Sequence, residues 1–156
     1  MLRGIYYRFV DREWTRPVVF PTRSEGDEGA WNRWVGMTGE RLAGKFLWAN
    51  GKKVLYRNFR VSKGGEIDIV FRDGDTLVFG EVKTRTSAQF GRPAQAVDRE
   101  KEGLIIRGAN AWLRELNQPE VLFRFDIIEI ILTEGEPSDI NLIEGAFSTP
   151  QVGLGM

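Results

Sequence analysis

A chain of 156 residues is long enough to form one domain with a real core, and its apolar and charged fractions are those of an ordinary globular protein. Basic and acidic residues balance at 22 each, so the zero net charge argues against a strongly basic nucleic-acid binder. With no histidine and no cysteine there can be no zinc site of the nitrogen–sulfur kind, no Ser-His-Asp triad, no Cys-His pair and no disulfide framework. Acid–base work falls to Asp, Glu, Lys or Tyr, and a carboxylate site for a hard cation is the main catalytic option. No apolar run is long enough for a membrane span, and Arg8, Asp11, Arg12 and Glu13 interrupt any signal-peptide core. A cytoplasmic address with no membrane partner is the simplest expectation.

Residues 1–35 are rich in arginine and aromatics, with Tyr6, Tyr7, Phe9 and Trp14 interleaved with Arg3, Arg8, Arg12 and Arg16. Such an arm either packs on its own domain or a neighbouring subunit, or stacks on bases and neutralises phosphates. From Ala30 to Asn50 the pattern is helical and stops at Gly51, a natural residue just past a helix end. Gly36, Glu40, Ala43 and Leu47 fall on one stripe, and a carboxylate on an inward stripe requires a partner, for which Lys83 or Arg85 is one choice. Lys53 to Arg60 reads as a strand.

Two strands follow, Glu66 to Arg72 and Asp75 to Lys83, joined at the hairpin signal Asp73-Gly74. Alternation predicts Ile67, Ile69 and Phe71 on one face with Val78 and Val82, and Glu66, Asp68, Glu81 and Lys83 on the other. A two-residue loop pairs Asp68 with Phe79, whereas a four-residue loop from Asp73 to Thr76 sets Asp68 opposite Glu81. Either even register gathers the charges, because only a one-residue slip would separate them. Paired-strand neighbours lie about 5 to 8 Å apart at Cβ, and two carboxylates so placed repel unless a cation sits between them. Mg²⁺ suits such a pair, using one or two protein carboxylates and keeping sites for water and phosphate. Lys83 stands on the same face, where it could orient a water or neutralise charge developing on phosphorus. Glu66 reads as a partner for a nearby Arg, or as a metal contact through water.

Thr84 to Pro93 is a loop whose hydroxyls and Arg85 suit phosphate contacts. Asp98 caps a second helix running to about Asn117, with Val97, Lys101, Leu104, Ile105, Gly108 and Trp112 on its apolar stripe. Lys101 either snorkels to solvent or reaches the polar edge of the sheet and holds phosphate. Basic residues outnumber acidic ones between Lys83 and Arg107, a local bias that the zero total conceals. Val121 to Leu132 is a third long strand, in which Asp126 reads as a structural partner rather than a metal ligand. Beyond Pro137 the chain reads as turn-rich, with at most a short edge strand at Ile140 to Ile143 and a frayed end.

The spacing from Asp68 to Glu81-Val82-Lys83 resembles the D…ExK signature of the PD-(D/E)xK nuclease superfamily. A longer set is more specific: Gly36-x-x-Gly39-Glu40-x-x-Ala43, Asn58-x-Arg60, Gly65-Glu66-Ile67-Asp68, Glu81-Val82-Lys83-x-Arg85, Phe90-Gly91, Val97-x-x-x-Lys101, Arg124-Phe125-Asp126 and Ala146-Phe147. In this order they resemble the bacterial YraN-like family, which is similar in fold to archaeal Holliday junction resolvases. The resemblance implies an α/β (α+β) restriction-endonuclease-like core, a mixed sheet with a central β-hairpin flanked by helices. It covers a nuclease-like domain over 36–147 and leaves an extension over 1–35 outside, while Gly and Pro punctuation reads as a flexible tail over 148–156.

What the resemblance implies of function is a Mg²⁺-dependent endonuclease, with Mn²⁺ as an alternative ion. It would act on DNA phosphodiesters, with branched DNA favoured and a homodimer as the gripping unit. Glu40, Asp68 and Glu81 would be the metal ligands, Lys83 the catalytic lysine, and Arg85, Lys101 and Gln95 the nucleic-acid contacts. Gly80 stands where relatives usually carry a β-branched residue, and is expected to loosen the packing behind Glu81. The alternative is a nucleic-acid-binding or adaptor protein that keeps the fold without cleavage.

Overall fold

The structure, a computed structural model, describes residues 28–86, 99–133 and 136–149. Its elements are α1 (Glu28–Ala49), β1 (Lys53–Arg60), β2 (Glu66–Asp73), β3 (Thr76–Thr86), α2 (Arg99–Glu115), β4 (Leu122–Thr133) and β5 (Glu136–Phe147). The strands form one sheet in the order β1-β2-β3-β4-β5, antiparallel throughout except for the parallel pair β3–β4. A parallel pair requires a crossover, and α2 lies in that connection. The expected mixed sheet with an internal hairpin and flanking helices is therefore present.

Each helix covers one face. Val35, Leu42, Ala43 and Leu47 of α1 pack on Ile69, Phe71, Val78, Ile128 and Ile130. Ile105, Ala109, Ala111 and Leu113 of α2 pack on Ile67, Val70, Phe79, Phe125 and Ile127. The inner strands are buried on both sides, which explains why β4 is mostly apolar from Ile127 to Leu132. α1 ends as predicted: Gly51 takes φ 74°, and the Lys52 amide donates to the Leu47 carbonyl at 2.9 Å. Gly36 is exposed rather than inward, because the buried face of α1 passes through Val35, Thr38, Gly39, Leu42 and Ala43.

The C-terminal segment departs from the turn-rich tail expected of it. Instead of a short strand in a turn-rich tail, β5 runs from Glu136 to Phe147 and covers the edge of β4. Ile140 and Leu142 join the α1-side core, while Ile143, Ala146 and Phe147 join the other. Gly145, at φ 58°, bulges opposite the fully buried Asp126 and donates its amide to Asp126 Oδ1 at 3.0 Å. Arg124 Nε donates to both Asp126 oxygens at 2.9 and 3.1 Å, and Arg124 Nη2 reaches Asp73 Oδ2 at 2.8 Å. Asp126 is thus the structural partner the sequence suggested, joining β4 to β5 at Gly145, while Arg124 ties β4 to the turn of the central hairpin. The N-terminal arm before Glu28, the tail after Thr149, and Phe90, Gly91, Gln95, Val97 and Asp98 lie outside the described residues. Among the described residues no helix is long and apolar enough to cross a membrane.

Candidate active site

The hairpin turns through Gly74 and Asp75, with Asp73 paired to Thr76 and Arg72 to Leu77. That is the register of the four-residue-loop alternative, closed by one further pair, and it directs Asp68 towards Glu81. The β2–β3 ladder ends at Ile69–Gly80. One step beyond, Asp68 Oδ2 accepts a hydrogen bond from the Val82 amide at 2.9 Å, so a carboxylate stands where the next strand carbonyl would be. β2 departs from β3 at this point and its alternation breaks. Ile67 does not share a face with Ile69 and Phe71 as expected; it packs on the α2 side. The space it fills comes from a glycine, since a Cβ at Gly108 would stand 2.8 Å from Ile67 Cγ1.

Glu81 and Lys83 follow Phe79 on the α2 face, while Val82 packs with the α1-side core. Glu81 is 7% exposed, and its Oε2 is buried without a hydrogen-bond partner. Burial, then the charge of Asp68 and a hydrogen bond shared with it, push the Glu81 carboxyl up to about 8, against weaker opposing pulls from Lys101 and Lys83. Two carboxylates that cannot both ionise comfortably are a place prepared for a cation or a proton.

Glu40 approaches from α1. Its carboxyl is raised above the ordinary value by burial and by the charge of Asp68, while a hydrogen bond from Asn58 and the charges of Arg57 and Arg60 act the other way. Asn58 lies across from Asp68, between the Arg57–Ile69 and Phe59–Ile67 pairs, and takes φ 52° within β1. Gly39 permits this approach, because any Cβ there would collide with Thr84 on β3. Among the described residues no three acidic side chains stand together at metal-ligand spacing. Glu40 would therefore have to turn towards the pair to complete a triad.

From the other side, Lys101 of α2 reaches the sheet rather than the solvent. Its Nζ lies 3.3 Å from Glu66 Oε1 and 3.7 Å from Glu81 Oε1. Burial opposes its charge, but Glu81, Asp68 and Glu66 together raise its pKa. Glu66 thus has a lysine partner where an arginine was expected. α2 is held at this height by its contact with the start of β2: a Cβ at Gly65 would lie 2.7 Å from the Gly108 amide nitrogen.

Gly80 does not loosen the site. A Cβ there would stand 2.8 Å from Ile69 Cγ2 and 3.3 Å from Ile128 Cδ1, so neighbouring side chains already fill the space. Arg85, expected to be a phosphate contact, has its Nε 3.4 Å from Glu129 Oε2. Sequence reasoning missed Glu129, which is 9% exposed and opposes Lys83 in the parallel register. A lone carboxylate inside the apolar run from Ile127 to Leu132 was the signal for it. The sequence-derived set is thus partly assembled: Asp68, Glu81, Lys83 and Lys101 converge, Glu40 borders them, Arg85 is tied to Glu129, and Gln95 is outside the described residues.

The profile of the Uncharacterised protein family UPF0102 matches residues 39–130, which contain every residue of this cluster. The chain belongs to UPF0102. A UPF0102 protein of Geobacter metallireducens is 46% identical over 116 residues, covering 74% of this chain and 93% of the relative. One of Caldicellulosiruptor saccharolyticus is 40% identical over 116 residues, covering 74% of this chain and 98% of the relative. A UPF0102 protein of Trichlorobacter lovleyi is 42% identical over 120 residues, covering 76% and 94%. In this UPF0102 chain the matched segment opens at Gly39, the residue that lets α1 meet β3 beside Glu40.

Proposed function

We propose that this UPF0102 protein is a Mg²⁺-dependent endonuclease acting on DNA phosphodiesters, with branched DNA as the favoured substrate. The observation that carries the reading is the convergence of Asp68 and Glu81 across the open end of the hairpin, with Lys83 one face-repeat beyond Glu81. The donor set fits a hard divalent ion: carboxylate oxygens only, one of them buried without a partner. Asp68 and Glu81 would hold the ion, with Glu40 as a third ligand. When bound, Mg²⁺ or Mn²⁺ supplies charge neutralisation and Lewis-acid polarisation of a phosphate oxygen.

The chain's own groups do the remainder. Asp68 is held in place by the Val82 amide, so its other oxygen keeps a fixed direction. Lys83 lies near enough to Glu81 to act on its charge, and its three donors can orient a water or meet negative charge growing on phosphorus. The strand core beneath, packed around Gly80, holds Glu81 against Asp68.

The test is cleavage of labelled four-way junction, duplex and single-stranded DNA with Mg²⁺, Mn²⁺ or chelator, wild type beside Glu81→Ala. Cutting that needs the ion and vanishes in the variant is expected; cutting retained in Glu81→Ala sinks the assignment. A second reading, an adaptor that binds nucleic acid without cutting, is favoured by the missing third carboxylate at ligand spacing and the zero net charge. Binding without turnover on every substrate would select it.

A further inference from the structure

We propose that the Lys101 ammonium is the resident cation of the Asp68–Glu81 pair: it sits at the carboxylates in the cation-free protein and must withdraw when a divalent ion enters. This rests on the metal-dependent reading and adds to it how the site is kept and how it is loaded.

The geometry is that of a counter-ion rather than a completed hydrogen bond. Lys101 Nζ is 3.3 Å from Glu66 Oε1, within hydrogen-bonding range, but 3.7 Å from Glu81 Oε1. It therefore compensates Glu81 through space while anchored on Glu66. Glu81 is more than nine-tenths buried and its Oε2 has no partner, so one acceptor remains that the lysine does not satisfy. A divalent ion would supply what the ammonium cannot, a short contact to the pair. Two cations repel strongly in a half-buried site, so a divalent ion and the Lys101 ammonium, 3.7 Å from Glu81 Oε1, compete for the same place beside that carboxylate.

The lysine is also built to leave. Its backbone is fixed because α2 is clamped at Gly108 against Gly65 and Glu66, about 10 Å along the helix. The four-carbon stem is flexible, and with the side chain 27% exposed the head can swing outward while α2 stays in place. Glu66, the anchor, lies at the site's edge with its side chain 33% exposed, so a withdrawn ammonium keeps this partner. Lys101 is a positioning residue for the carboxylates when no ion is present, and its removal favours the ion.

Manganese binding, read from the loss of the free Mn²⁺ electron paramagnetic resonance signal, tests this on the full chain. Lys101→Met is expected to bind Mn²⁺ about tenfold more tightly than wild type. Lys101→Arg, which retains the charge, should bind no more tightly. Above about pH 8, where the carboxylate pair is ionised, the melting temperature of Lys101→Met should fall below wild type in chelator, and that deficit should vanish in saturating Mn²⁺, because the ion replaces the ammonium. A purely structural lysine would give the same deficit in both conditions and would overturn the proposal, as would unchanged or weaker Mn²⁺ binding by Lys101→Met. Lys101→Gln serves in its place if the methionine variant does not fold. Glu81→Gln separates the two levels. If it binds Mn²⁺ as wild type does, the ion is not at the pair, and both the ligand assignment and this inference fall. If it loses Mn²⁺ while Lys101→Met gains nothing, the inference alone fails.

Discussion

Asp68 Oδ2 takes the Val82 amide at 2.9 Å where the β2–β3 ladder ends, so this carboxylate is both a piece of the sheet and a member of the site. The two roles separate by substitution. Asn keeps a carbonyl oxygen for the amide and loses the charge; Ala loses both and leaves a half-buried N–H unsatisfied, at about 1–3 kcal/mol. Urea unfolding should find Asp68→Asn more stable than Asp68→Ala by about 1–2 kcal/mol. Both should be inactive in the cleavage assay. Equal stabilities would mean that the Val82 bond contributes nothing.

Glu81 places a pH signature on the metal-free protein. Burial and then the neighbouring Asp68 push its carboxyl up from 4.5 to about 8, so the native state binds the proton more tightly than the unfolded chain. Below 4.5 both states are protonated and nothing is lost; as pH rises through 8 the full penalty appears, about 5 kcal/mol at most. Melting in chelator should therefore show wild type losing stability from pH 5 to 9, about that range, and Glu81→Gln losing much less. A site that is destabilising when empty and required for turnover would show Glu81→Gln as more stable yet inactive.

The sequence was most legible where period and punctuation agree. Lys53 to Arg60 gave β1 without error, and Gly51 gave the end of α1, because left-handed glycine and strand alternation are local properties. Alternation also placed Asp68, Glu81 and Lys83 together. It failed at Ile67, where the strand leaves its neighbour and the close approach that Gly108 allows decides the face. It failed too at β5, where the edge of β4 recruits a segment whose own composition favours turns. Glu129 escaped because its meaning depends on Arg85, distant in sequence and adjacent only through the parallel register.

Gly80 is a packing requirement. An alanine Cβ would press on Ile69 Cγ2 at 2.8 Å, and that methyl, fixed on a β-branched carbon, cannot swing aside. Overpacking of this kind costs about 1–3 kcal/mol, which exceeds the gain of up to about 1 kcal/mol from removing a strand glycine. Gly80→Ala should lower stability by about 1–2 kcal/mol in urea unfolding and reduce cleavage through displacement of Glu81. A stabilised variant would mean that Ile69 can yield after all.

Asn58 couples backbone strain to Glu40. Its φ of 52° inside β1 is a conformation that asparagine tolerates better than most residues, and its side chain hydrogen-bonds the Glu40 carboxyl. Glycine would keep the backbone and lose the bond; alanine would lose the bond and strain the backbone. The usual order, in which alanine stabilises a strand relative to glycine, should therefore invert. Asn58→Gly is expected to be more stable than Asn58→Ala by about 1 kcal/mol. Both variants release Glu40 from the Asn58 bond that lowers its pKa, so both should leave it more readily protonated. In the cleavage assay each should then need more Mg²⁺ than wild type for half-maximal rate, with the two variants alike. If alanine proved the more stable, the left-handed turn at Asn58 would not be a feature of the folded strand, and Glu40 would need another explanation for its place beside Asp68.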